Sequence, residues 1–164
     1  MSASMRIQSD LVFGFREFEF HGGPYRYKPG NAFGVCLLEE APAINAQNYP
    51  KVHLPIRDFS VPEDKAEVED AIKRTFSAAL DGETVYVGCM GGKGRTGLFL
   101  ALLTKVARGT TVDAVTRVRT VYNRHAVETE EQEDYVRGFD VTGLRQWLYW
   151  EIVKRWFTKV FFWA

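Results

Sequence analysis

The chain has 164 residues, 46% hydrophobic and 26% charged, which is the length and composition of one soluble globular domain with at most a short appendage and excludes a disordered chain. Its 21 acidic and 21 basic residues cancel, which argues against a general nucleic-acid binder. Two cysteines are too few for a disulfide framework, and neither an apolar leader nor a long uncharged apolar run is present, so an intracellular, cytoplasmic setting is the expectation.

Residues 11–20 alternate apolar and polar over their second half and predict a strand or hairpin edge, followed by a turn-rich stretch over 21–30. Ala32 to Leu38 and Lys51 to Ile56 predict two further strands. Ser60-Val61-Pro62-Glu63 carries helix-start chemistry, and Val68, Ala71, Ile72, Phe76, Ala79 and Leu80 follow helical spacing up to Gly82. Thr84 to Val87 is a compact β-branched strand, and Thr96 to Arg108 reads as a buried helix ended by Gly109. Thr111 opens another helix through about Tyr122, and Thr129-Glu130-Glu131-Gln132 is a capping box for the next. The order predicts an α/β fold with a short central sheet of about four or five strands flanked by helices.

The informative stretch runs from Val85 to Gly97, VYVGCMGGKGRTG. A strand ends, a loop holding Gly91, Gly92 and Gly94 follows, and a helix begins. Glycines let successive N–H groups point into one hollow, and the helix N-terminus adds unpaired donors and partial positive charge. Met90, Gly91, Gly92, Lys93, Gly94 and Arg95 thus form an anion cradle of phosphate size. It is not a Walker loop, because Gly-Arg-Thr replaces Gly-Lys-Ser/Thr. Cys89 stands at its mouth, where a helix N-terminus and a guanidinium both favour the thiolate, the nucleophilic form of a cysteine. Arg95 can grip two phosphate oxygens at once, and the Thr96 hydroxyl can reach the sulfur.

Cys89 to Gly97 resembles the Cys-x5-Arg-Thr/Ser signature of the cysteine-dependent protein tyrosine and dual-specificity phosphatases, over about residues 11–140. The resemblance implies a compact dual-specificity-type domain at 1–144 that hydrolyses phosphate monoesters through a phosphocysteine, without metal or cofactor. It implies a general acid on an upstream loop. Asp58 occupies that position in His53 to Pro62, in a Pro-x-x-Asp pattern instead of the Trp-Pro-Asp of the large enzymes. Asp64 and Asp70, inside the predicted helix, read as solvated charges. Residues 126–132 are similar to the family's water-positioning loop. Gln132 matches one of its glutamines, yet it serves equally well as the end of a capping box, and Glu128 stands where the large enzymes have another glutamine. Gly88 replaces the usual histidine before the nucleophile. Lys93 resembles the phosphoinositide phosphatases, whereas Met90 lacks their basic residue. Cys36 is a core cysteine by composition, and the resemblance makes it a redox partner candidate for Cys89.

The implied partners are a phosphotyrosine-containing protein or peptide, with a phosphoinositide as the alternative. A non-catalytic phosphate-binding module is the reading outside enzymes. His21, His53 and His125 have no metal-ligand spacing. All four tryptophans lie between Trp147 and Trp163. On a helical wheel over residues 145–164, Tyr149, Ile152, Val153, Trp156, Val160 and Trp163 share a face opposite Glu151, Lys154, Arg155, Thr158 and Lys159. A helix packed on the domain, a peripheral membrane helix and a self-association surface all fit that pattern.

Overall fold

The computed structural model describes residues 2–12, 16–40 and 49–162. Its strands are β1 (Ala3–Gln8), β2 (Glu17–Pro24), β3 (Phe33–Cys36), β4 (Val52–His53) and β5 (Val85–Cys89). They form one sheet in the order β1-β2-β5-β3-β4, in which only the β1–β2 pair is antiparallel. The helices are α1 (Lys65–Leu80), α2 (Gly94–Arg108), α3 (Ala114–Val121), α4 (Glu130–Gly138) and α5 (Thr142–Phe162). The α/β architecture is the predicted one. Among the described residues, no helix is long and apolar enough to cross a membrane.

Several elements depart from their sequence limits. Strand β1 was not expected, and the strand expected over 11–20 runs instead from Glu17 to Pro24. Residues 13–15 of that expectation lie outside the described residues. The stretch expected as turn at 21–24 is strand: Gly22 and Gly23 pair with Val87 and Gly88. Helix α1 starts later than Ser60, because Asp64 is its cap and accepts from Ala66 N at 2.7 Å and Glu67 N at 3.3 Å. Asp64 is therefore not merely a solvated charge. The backbone at 56–60 is engaged elsewhere, since Arg95 takes the Ile56 carbonyl and Gln132 takes that of Ser60. Helix α3 likewise waits for Asp113, which accepts from Thr116 N at 2.8 Å.

Strand β5 is buried at every residue, which explains its unbroken apolar run. Both α1 and α2 pack on it. Phe76 of α1 meets Phe18 and Phe20 of β2 edge-to-face, with ring centroids 4.9 and 5.7 Å apart. The C-terminal end of β5 thus delivers the chain into α2 at one pole of a rigid core.

Arg119 of α3 organises the segment before α4. Its guanidinium donates to the Ala126 carbonyl at 3.0 Å, to the Val127 carbonyl at 2.7 Å and to Glu133 Oε1 at 2.6 Å. The hydrogen bond from Arg119, aided by its charge and that of Arg137, holds the Glu133 carboxyl below the usual glutamate range. A folded-state value below the unfolded one, about 4.3 for Glu, adds stability above that pH and loses it as pH falls through the folded value. Glu133→Gln should therefore lower the melting temperature at neutral pH and flatten its fall on acidification. Melting curves from pH 7 to pH 3 for both proteins check this, with the two curves converging at the acid end.

Candidate active site

Cys89 ends β5 and Gly94 opens α2, with residues 90–93 making the turn between them. The Cys89 sulfur faces this turn. It accepts from Gly92 N at 3.3 Å and from Thr96 Oγ1 at 3.2 Å. The loop can aim the Gly92 amide inward because Gly92 takes φ +69°, and a Cβ there would lie 2.5 Å from the Gly23 carbonyl carbon. No side chain caps α2 at Lys93. The first-turn N–H groups therefore remain donors for an anion, beside the positive end of the helix dipole. Gly92 and Gly94 are buried, whereas Met90, Gly91 and Lys93 are exposed.

Arg95 lies in the first turn of α2 and is buried, at 4% exposure. One terminal nitrogen donates to the Ile56 carbonyl at 3.0 Å, and the other is 3.0 Å from Asp58 Oδ1. Its Nε is the sole buried side-chain nitrogen or oxygen without a partner among the described residues. A buried unpaired donor typically costs about 1–3 kcal/mol. An oxyanion in the cradle can satisfy it, and the guanidinium fork suits phosphate.

The loop that reaches this arginine is tied in turn to the start of α4. Asp58, on the loop between β4 and α1, reaches Arg95 with a carboxylate that is otherwise half exposed. Phe59 follows with a left-handed backbone, φ +59°, and an exposed ring. Gln132 of α4 is fully buried and bridges two loops, accepting from Glu128 N at 2.9 Å and donating to the Ser60 carbonyl at 3.0 Å. Thr129 Oγ1 does accept from Gln132 N at 3.1 Å, so half of the predicted capping box forms. The other half is shifted one residue back, from Thr129 N to Glu128 N. The Glu128 carboxylate and the Gln132 carbonyl lie against Gly94, where a Cβ would run into the former. Val127 precedes them at φ +58°, a rare conformation for a β-branched residue, held by the Arg119 bond to its carbonyl.

Cys36 is fully buried on β3, opposite Gly88 in the ladder with β5. Burial pushes its thiol up, and the Cys89 sulfur and Arg95 guanidinium both lie within electrostatic reach. Tyr122 was not anticipated from the sequence. Its hydroxyl donates to the Gly92 carbonyl at 2.7 Å, and burial raises its phenol so that it stays a donor. It pins the carbonyl side of the residue whose N–H faces the sulfur. Gly88 admits no side chain, since a Cβ there would lie 2.7 Å from Tyr25 Cα and 2.8 Å from the Gly23 carbonyl oxygen. A cavity of about 500 Å³ opens beside the loop, lined by Phe59, Lys93, Arg119, Arg124, His125 and Glu128, among others.

Residues 35–138 match a family model described as PTP-SAK, the Swiss Army Knife protein DSP-PTPase phosphatase domain. Uncharacterized proteins MJECL20 and MJ0215 of Methanocaldococcus jannaschii are 39% and 38% identical over 106 and 103 residues. Those matches cover 63% and 62% of this chain, and 66% and 59% of the relatives, so the chain spans under two thirds of their length. The crystal structure of Tk-PTP in its active form is 26% identical, with a TM-score of 0.57 over 71% of this chain and 80% of that one. Sequence signature, fold similarity and matched family span therefore agree, and the chain belongs to the DSP-PTPase phosphatase domain family.

Proposed function

We propose that this protein hydrolyses phosphate monoesters through a phosphocysteine, with phosphotyrosine in a protein or peptide as its first substrate class. One observation carries the reading: a sulfur held by two inward donors lies in a loop whose buried arginine keeps an unpaired Nε and pairs with a carboxylate. The Cys89 thiolate attacks phosphorus. The ester P–O bond breaks, and Asp58 gives its proton to the leaving oxygen. Arg95 and the loop amides hold the equatorial oxygens as charge develops. Asp58, now a carboxylate, takes a proton from water that Gln132 orients. The hydroxide forms a P–O bond, the S–P bond breaks, and phosphate leaves with the thiolate restored. None of these steps needs a metal. The exposed Phe59 ring beside Asp58 supports an aryl phosphate, because it offers a face to the substrate ring.

Lys93, Arg124 and His125 around the neighbouring cavity favour a second reading, a phosphoinositide. Phosphate release from phosphotyrosine peptides, phosphoserine peptides and phosphoinositides, measured side by side, separates them. Turnover of para-nitrophenyl phosphate should resist a chelator and disappear in Cys89→Ser. Asp58→Asn should lower kcat by about 10²–10⁴, least for substrates with good leaving groups. Wild-type protein that binds phosphate without turnover would leave a binding module instead.

Tyr122→Phe removes one hydrogen bond to the loop. It should cost about 1 kcal/mol of stability by denaturant titration, and lower kcat more than it raises KM, because it loosens donors aimed at the sulfur.

The family resemblance also points to a redox lock. Peroxide oxidises the Cys89 sulfur to a sulfenic acid, and the Cys36 thiol displaces water to close a disulfide. Mass mapping should find the Cys36–Cys89 pair, reversible by dithiothreitol. Sulfinic or sulfonic Cys89 with Cys36 still a thiol would contradict the lock.

A further inference from the structure

The outer face of α5 has no role in the site. Its inner face packs on the domain through Leu144, Leu148 and Ile152, all buried. Two arginines fasten it there. Arg145 donates to the Val106 carbonyl at 2.7 Å, near the end of α2, and Arg155 bonds Asp81 at 3.0–3.1 Å, at the end of α1. Helix α2 starts at the phosphate loop, and β5, which follows α1, ends there. Both anchors therefore lie at the opposite pole, and α5 crosses that pole.

Helix α5 leaves Tyr149, Trp150, Trp156, Phe157, Val160 and Phe161 each 40–67% exposed, and Tyr149, Trp156 and Phe157 also rim a cavity of about 490 Å³ against Val12, Arg16 and Leu80 of the domain. These are six of the ten exposed large hydrophobic residues in the described structure, so they form a patch and are not scattered singles. Phe157 stacks on Phe161 with centroids 5.7 Å apart, and Trp156 sets its ring edge-on to Phe157 at 5.1 Å. At helical spacing, Lys154 borders the stripe on one side and Lys159 on the other. After Glu151 the sequence contains no acidic residue through position 164.

That charge pattern selects the occupant. Two copies packed stripe to stripe bring lysine borders together with no carboxylate in the stripe to meet them. Lys154 pairs only with the neighbouring Glu151, at 3.0 Å, and Lys159 has no carboxylate partner among the described residues, so an anionic surface supplies charge that the stripe lacks. Exposed tryptophan and phenylalanine beside lysine is also the composition that settles at the headgroup level of a bilayer. We propose that the outer face of α5 docks this protein on anionic membrane surfaces, with the phosphate loop turned away from the lipid. In that orientation the site meets phosphoesters from the aqueous side, and docking itself needs no phosphorylated lipid. This inference stands independently of the chemistry proposed for Cys89.

The test uses the full chain and vesicles of phosphatidylcholine alone or mixed with phosphatidylserine. All four tryptophans lie in or beside α5, so intrinsic fluorescence reports on this element. The wild type should float with the phosphatidylserine vesicles and not with phosphatidylcholine alone, and its emission should shift to the blue. The combined Trp156→Ser, Phe157→Ser and Phe161→Ser variant should keep its melting temperature and lose flotation. Lys154→Glu with Lys159→Glu should weaken binding by at least about thirtyfold, and raising the salt concentration should weaken it as well. The proposal is overturned if the wild type ignores phosphatidylserine vesicles. It is equally overturned if light scattering finds a dimer that the serine variant abolishes, which assigns the stripe to a second copy.

Discussion

The sulfur of Cys89 is the fixed point of the structure. It sits where a buried parallel strand meets the start of a helix, and it receives the Gly92 amide and the Thr96 hydroxyl. The direction of the Gly92 amide depends on the φ and ψ of this residue, which fix how its two peptide planes are turned. Tyr122 holds the Gly92 carbonyl of the following peptide, and the residue is a glycine with positive φ pressed against Gly23. The loop is thus held from both sides. The strand, the helix and the tyrosine are separate elements that set one atom's surroundings, which is what preorganisation requires.

The loops around it are held less economically. Phe59 and Val127, on different segments, both adopt the left-handed backbone that glycine tolerates and other residues resist. Each such residue costs on the order of 1–3 kcal/mol. Their neighbours supply the restraint. Arg119 grips the carbonyls of Ala126 and Val127, and Gln132 ties Glu128 to Ser60. Strained backbone next to a cradle for an anion fits a region shaped for chemistry at some expense of stability.

The motif from Cys89 to Gly97 was legible because its glycines, arginine and threonine act locally, through the turn they build. The long helices were legible for the same reason, since Val68 to Leu80 and Thr96 to Arg108 carry their own period. Strand β1 left a weak trace, and residues 21–24 hid as strand because glycines carry no alternation. The start of α1 was misplaced because Ser60 has capping chemistry, while its carbonyl is claimed by Gln132 from 72 residues away. Tyr122 and Arg119 were invisible for a similar reason. Each acts on a backbone carbonyl that only the folded chain brings near. Asp58 was singled out by the family resemblance, and its pairing with Arg95 was not anticipated.

That pairing has a consequence. Asp58 Oδ1 occupies a terminal nitrogen of Arg95 that the proposed mechanism needs for the phosphate. Under the proposed mechanism, a dianion arriving at Arg95 displaces the Asp58 carboxylate, which loses its cationic partner and takes up a proton from solvent before it can serve as the acid. The displacement frees Asp58 to swing toward the ester oxygen at the moment it is needed. Under the same mechanism, an anion too weak to displace the carboxylate leaves Arg95 paired and Asp58 ionised, and the reaction does not start.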